Sequence, residues 1–282
     1  MTAAVLRLRR KNKSQLLLHA SLIGFGLVCV VPLLWTLSAS LQTDQQIYSG
    51  LHFVPHGLHW SNFAQAWHEA KFSTYTWNTV FYTTAVTVGT LAFSSAAGYA
   101  FARLQFPLRR LVFYSLLIFL AFPIPGNFIP LYVLLVKLHL VNTPLGYILP
   151  MINVNIPVGA FLFRGFFAQI PASIEESALI DGSSRFQVFW RIELPLARPA
   201  IGTVAILTAL SVWNEFLIAL VVFSDQSKMP LQVGLMTFQG TFFSRYSLMM
   251  AATTITMGPA LLLYAVFQKS IIKGVMAGAV RG

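Results

Sequence analysis

Residues 169–195 read QIPASIEESALIDGSSRFQVFWRIELP and stand between two long apolar runs. Ser173 followed three residues later by Glu176 predicts a capping box that starts a helix. Glu175 and Glu176 fall in its first turn, where the helix macrodipole favours anions. Gly182 predicts the stop, about two turns on. Ser184 with Gln187 predicts a second capping box, and Phe186, Phe189 and Trp190 would give the next helix an apolar face. Pro195 and Pro199 then re-aim the chain. The expectation is a short helix-turn-helix on rigid supports. An amphipathic loop lying on a bilayer would account for the aromatic face, but not for paired carboxylates that anionic lipid repels. An acidic, capped helix suits a protein partner.

The flanking runs decide the fold class. Of 282 residues, 56% are apolar and 10% charged, with 24 Phe and a mean hydropathy of +0.70. A soluble domain carries about 45–50% and about 25%. That excludes an ordinary soluble enzyme, and lipid must be the second solvent. A helix needs about 20 apolar residues to cross the hydrocarbon layer. Six stretches meet that length, approximately 16–41, 77–101, 108–136, 144–167, 199–223 and 248–267. The reading is an all-α integral membrane protein of six transmembrane helices, with a segment 1–15 before a membrane domain 16–282. Its loops are placed at about 168–198 on one side and 224–247 on the other, with a tail at 268–282.

An even number of spans puts both termini on one side. If that side is the cytoplasm, 15 of the 19 Lys and Arg residues lie inside, and only Lys71, Lys137, Lys228 and Arg245 lie outside. Such asymmetry over short loops is the positive-inside signal. The net charge of +11 is thereby a matter of topology, because a nucleic-acid binder would gather its charges on one continuous face. The run 16–37 exceeds the roughly 7–15 apolar residues of a secretory signal, so the first span is expected to be uncleaved. Cys29 stands alone, which excludes a disulfide framework. His52, His56 and His59 in the outer segment lack a carboxylate or fourth ligand at supporting spacing, so no metal site is expected.

Polar residues and helix breakers at membrane depth mark candidates for a translocation pathway. The third span holds FPIPGNFIP, residues 122–130, which no straight helix survives. Backbone unpaired at that depth must face protein or water, which singles out Asn127. Asn153 and Asn155 in the fourth span cannot share one helix face, so at least one should meet protein partners. In the fifth, Asn214 and Glu215 are candidates because a carboxylate in the membrane needs a wet or partnered site. The outer loop carries Asp225, Lys228, Gln232, Gln239, Phe242, Phe243, Arg245 and Tyr246, side chains suited to sugar rings and hydroxyls but also ordinary for a membrane loop.

Glu176-Ser177-Ala178, then Gly182, then Ile192, Leu194 and Pro195 resemble the EAA loop of permease subunits in bacterial ABC importers, with Ser177 in place of an Ala. The resemblance extends over essentially the whole chain. NTPLG at 142–146, WNEF at 213–216 and the tail KGVMAGAVRG at 273–282 are similar to the second permease of carbohydrate importers, the maltose type. It implies a type I ABC importer permease fold, multi-pass in the bacterial plasma membrane with both termini cytoplasmic. It also implies a second permease subunit, an ATPase dimer and an extracytoplasmic solute-binding protein as partners, with sugar as substrate. ATP and Mg would be held by the ATPase, and this chain would bind no cofactor. Coupling to the ATPase would fall to Glu175, Glu176, Ser177, Ala178, Asp181, Gly182, Ile192, Leu194 and Pro195, with the two Glu pairing to its basic residues.

No GxxxxGK(S/T) string and no HExxH or GxSxG motif occurs in the sequence, so a non-catalytic transporter subunit is expected. The same machinery importing glycerol phosphate or a polyol stays open, as does an ATP-independent secondary transporter. The latter would carry intramembrane charge relays or inverted repeats, and neither is evident.

Overall fold

The computed structural model describes residues 2–69, 71–118, 128–239 and 244–279. Its helices run α1 (Thr2–Ala39), α2 (Asp44–Tyr48), α3 (Ser61–Glu69), α4 (Phe72–Arg103), α5 (Arg109–Ile118), α6 (Phe128–Lys137) and α7 (Pro144–Phe167). They continue as α8 (Ala172–Ile180), α9 (Arg185–Val188), a π-helical turn (Phe189–Glu193), α10 (Leu194–Leu196) and α11 (Arg198–Trp213). After these come α12 (Leu217–Val222), α13 (Leu231–Gly234) and α14 (Tyr246–Ala279), with short 3-10 turns on either side of α13. No strand occurs among the described residues. The helices fall into two compact units, residues 1–70 with 237–255, and residues 71–236 with 256–282.

In the first unit, α1 carries a predominantly apolar stretch of 22 residues, Leu18–Ala39, whose surface is uncovered: Phe25 is 71% and Val28 69% exposed. Only another apolar phase stabilises such a helix. The polar segment that follows is tied down by buried amides. Gln42 donates to the His52 carbonyl (2.8 Å), and Asn62 donates to the carbonyls of Ser40 and Gln42 (2.9 Å each). Thr43 and Gln46 close a capping box on α2. Asp44 accepts from the Ser247 backbone N–H (2.7 Å), so α2 satisfies an open donor in the first turn of α14. Glu69 pairs with Arg245, and hydrogen bonds from Gln65 and Arg245 hold its carboxyl below the usual carboxylate range.

The second unit is organised by α4 lying against α7 at backbone-to-backbone distance, which small residues permit. A Cβ on Gly89 would meet Ile152 at 2.4 Å, and Ser94 sits where a Cβ on Gly159 would be, 2.7 Å away. Toward one end of α4, Tyr82, Val86, Tyr147, Met151, Val212 and Phe223 form an apolar cluster. Toward the other, Tyr99, Phe163, Phe167, Phe189 and Val204 form a second. Helix α7 has the limits expected of the fourth span. Thr143 accepts from the Gly146 N–H (3.1 Å) and Pro144 occupies the first helical position, both strong start signals. Asn142, in left-handed conformation at φ 58°, accepts from the Asp225 N–H (3.1 Å), while its carbonyl accepts from Lys228 (3.0 Å). These bonds tie the start of α7 to the segment after α12.

Of the six expected spans, four or five are found. Among the described residues, four helices are long and apolar enough to cross a bilayer: Leu18–Ala39 of α1, α4, α7 and Tyr246–Gln268 of α14. A fifth arises only if α11 is counted with residues Arg185–Leu196, from which it bends by 77°. The proposed third span is represented by α5 and α6, and most of its FPIPGNFIP break, with Asn127, lies outside the described residues. The proposed fifth span is not one helix. It breaks at Asn214–Phe216, because Glu215 spends its carboxylate on capping the next segment, accepting from the N–H groups of Ile218 (2.6 Å) and Ala219 (3.1 Å).

Candidate functional site

The loop between α7 and α11 does form two short helices joined by a turn, but α8 begins earlier than the Ser173 box implies. Pro171 is the N-cap residue at φ −57°, and Ser173 lies inside the helix, accepting from the Ser177 hydroxyl at its carbonyl. The proline ring pre-sets the backbone, so the helix can start without a side-chain cap. The C-terminus is as expected. Gly182 has φ +85°, the Gly182 N–H donates to Leu179 (3.1 Å) and the Ser183 N–H to Ala178 (3.0 Å), which makes a Schellman motif. The Ser184–Gln187 capping box is present at α9. A Cβ on Gly182 would meet nothing within 4 Å, so substitution strains the backbone without a clash. Gly182→Ala should therefore cost about 1–2 kcal/mol locally. Faster amide exchange in residues 178–183 at unchanged global unfolding would register it.

Residues three and four apart share a helix face. On α8 that spacing puts Ser173, Glu176, Ser177 and Ile180 on one exposed stripe, with Ile180 85% exposed. Asp181 and Gly182 continue it, whereas Ala178 is half-buried. Glu175, grouped with Glu176 on the sequence, points the other way. It is buried, accepts from the Tyr99 hydroxyl (3.0 Å), lies 3.4 Å from Arg103 and 3.7 Å from Arg185, and is thus engaged within the chain. The apolar face expected of the second helix is likewise divided. Phe189 packs against Tyr99 (5.2 Å between ring centres), while Phe186 and Trp190 stand 71% and 52% exposed. The π-helical turn begins at Phe189, and Trp190 keeps edge contacts with both Phe186 (6.2 Å between ring centres) and Phe189 (5.6 Å). Ile192 and Leu194 are half-buried and Pro195 exposed before the 77° bend.

Behind α8 lies a charge cluster with no sequence signal. Arg103, the last residue of α4, contacts Glu193 (2.8 Å), donates to the Ile170 carbonyl (2.7 Å) and lies beside Glu175. Glu193 is 1% exposed, and burial pushes its carboxyl above the usual value against the opposing pull of Arg103. Arg103 and Glu193 are 90 positions apart, so only the fold brings them together.

Among the pathway candidates, Asn153 is exposed. Asn155 donates to the Met151 carbonyl (2.8 Å) and borders a cavity of about 310 Å³ that Gly159, Val204, Thr208 and Ser211 also line. Asn214 is exposed and turns back on the Leu210 carbonyl (2.8 Å). Glu215 has the capping task described above. Replacing a capping acceptor by Ala costs about 1 kcal/mol. Glu215→Ala is accordingly expected to loosen α12, read as lower thermal stability in detergent, with Glu215→Gln retaining an acceptor and part of the loss restored. In the outer loop, Asp225 caps a turn by accepting from the Ser227 N–H (2.9 Å), and Gln232 reaches the Trp213 carbonyl (3.3 Å). Phe242 and Phe243 lie outside the described residues.

A helical chain with several membrane-length helices that presents an acidic helix on a braced loop has the features expected of an importer permease. The chain belongs to the family of binding-protein-dependent transport system inner membrane components, whose model matches residues 91–276. It is 33% identical over 265 residues to the diacetylchitobiose uptake system permease protein of Streptomyces coelicolor, covering 93% of this chain and 88% of that one. It is 34% identical to the arabinooligosaccharides transport system permease protein of Halalkalibacterium halodurans, covering 97% and 100%. Among solved structures, a chain of a bacterial ABC transporter that imports the acidic polysaccharide alginate superposes with a TM-score of 0.78 at 26% identity, covering 92% of this chain and 97% of that one. The fold is that of a type I ABC importer permease, and the chain is an inner-membrane component.

Proposed function

We propose that this chain is the membrane-spanning permease subunit of an ATP-driven sugar importer. It forms the pathway for a mono- or oligosaccharide with a second permease, receives solute from an extracytoplasmic binding protein, and hydrolyses no ATP itself. The observation that carries the reading is the α8 stripe of Ser173, Glu176, Ser177 and Ile180, exposed while Glu175 braces the helix from behind. A helix so held can enter a groove of an ATPase subunit and move as a rigid body when the groove moves. The 15-to-4 distribution of basic residues supports cytoplasmic termini and a cytoplasmic α8. Sugar as the solute rests on likeness to permeases for diacetylchitobiose and arabinooligosaccharides. The test is reconstitution of the permease pair, ATPase and binding protein in vesicles with labelled oligosaccharides. ATP-dependent accumulation supports the reading, and uptake that proceeds without ATP overturns it.

A further inference from the structure

We propose that Arg103 is a positioning residue for transport: a strut that transmits displacement of α8 into α4. The inference rests on the reading of α8 as the ATPase-gripped helix. One guanidinium joins four pieces of chain. Arg103 ends α4, donates to the Ile170 carbonyl in the turn leaving α7 (2.7 Å), contacts Glu193 of the π-helical turn (2.8 Å) and lies 3.4 Å from Glu175 on α8. The Arg103 side chain is 10% exposed, those of Glu175 and Glu193 are 9% and 1%, and the Tyr99 hydroxyl, also on α4, donates to Glu175 (3.0 Å). Arginine's planar fork keeps several bonds in fixed relative geometry, which the point charge of lysine does not.

Covalently, α8 is joined to α7 only by the turn Ala168–Pro171, which could absorb a movement by bending. The second route, through Arg103 and Tyr99, bypasses that turn and ends on the 32-residue helix α4. Glu193 Oε2 is buried without a hydrogen-bond partner, so the clasp holds an acceptor in reserve that a shifted Arg103 could take up. Arg185 also pairs with Glu175 but is 60% exposed, so it supplies charge where Arg103 supplies rigidity.

The test uses the assembled transporter in vesicles, with ATP hydrolysis and solute uptake measured on the same preparation. Arg103→Lys keeps the charge and loses the fork. Uptake is expected to fall roughly tenfold while hydrolysis continues, within the 5–150-fold typical of coupling between sites. The double variant Arg103→Met with Glu193→Met removes both charges, leaves no orphaned ion between them and should show the same loss. A wild-type ratio of solute to ATP in either assembled variant overturns the proposal, since a merely structural clasp would leave that ratio unmoved. Should neither assemble, spin labels at Ile174, which lies off the docking stripe, and at Gln105, in a chain otherwise changed only by Cys29→Ser, decide. Their separation stays constant between nucleotide-free and ATP-bound complexes if the strut holds, and a change overturns it. Failure of the α8 reading itself shows differently, as ATPase that remains bound and coupled after Glu176→Lys.

Discussion

Glu176→Lys is expected to abolish ATP-dependent uptake while the permease inserts and folds normally. The side chain lies on the exposed stripe of α8, and no hydrogen bond or ion pair inside the chain depends on it among the described residues. Reversal therefore removes little internal stability, since surface substitutions away from caps and networks cost within about 0.5 kcal/mol. At a docking surface the same reversal sets like charge against like, at about 3 kcal/mol or more, roughly a hundredfold in affinity. Co-purification of the ATPase with tagged permease measures the loss. Glu175→Lys, one residue away, should fail differently. It places a third cation beside Arg103 and Arg185 and leaves the Tyr99 hydroxyl without its acceptor, so the permease itself should become unstable. The contrast between adjacent glutamates separates the outward stripe from the brace behind it.

How much of this was legible in the sequence depends on how local the cause is. The limits of α7 could be read from Thr143 and Pro144, because a cap and a first-turn proline act on their own neighbours. Gly182 was legible for the same reason, since a left-handed turn after a helix nearly demands glycine. The Ser173–Glu176 spacing predicts a capping box that does not form, because Pro171, two residues earlier, already fixes the backbone. The WNEF stretch reads as part of one continuous span, whereas Glu215 starts a separate helix with its own carboxylate. The opposite orientations of Glu175 and Glu176 follow from helical phase, but which of the two faces inward depends on Arg103, 72 positions away, and no local pattern carries that. The π-helical turn at Phe189–Glu193 has no periodic signature of its own, so it could not be foreseen.

Gly98→Leu should separate α4 from α7 and prevent a stable permease from accumulating. A Cβ at this position would lie 2.4 Å from the Phe163 Cβ, 2.9 Å from the Arg164 backbone nitrogen and 3.2 Å from the Ala160 carbonyl oxygen. Two of these three atoms are backbone and the third is fixed directly to it, so no side-chain rotation can make room and α7 itself must retreat. Overpacking a core costs about 1–3 kcal/mol even where side chains can yield, and more is expected against backbone. The consequence would spread beyond one contact. Gly98 lies one residue before Tyr99, whose hydroxyl holds Glu175, and five before Arg103, so lifting α4 also withdraws the brace from α8. Gly202→Ala on α11 is the matched control, because nothing lies within 4 Å of its Cβ position and alanine gains helix propensity of about 0.8–1.0 kcal/mol over glycine. Thermal unfolding of the purified chain in detergent should fall for Gly98→Leu and hold or rise for Gly202→Ala. Equal stability of the two variants would show that the helices pack otherwise, and with them the placement of α8.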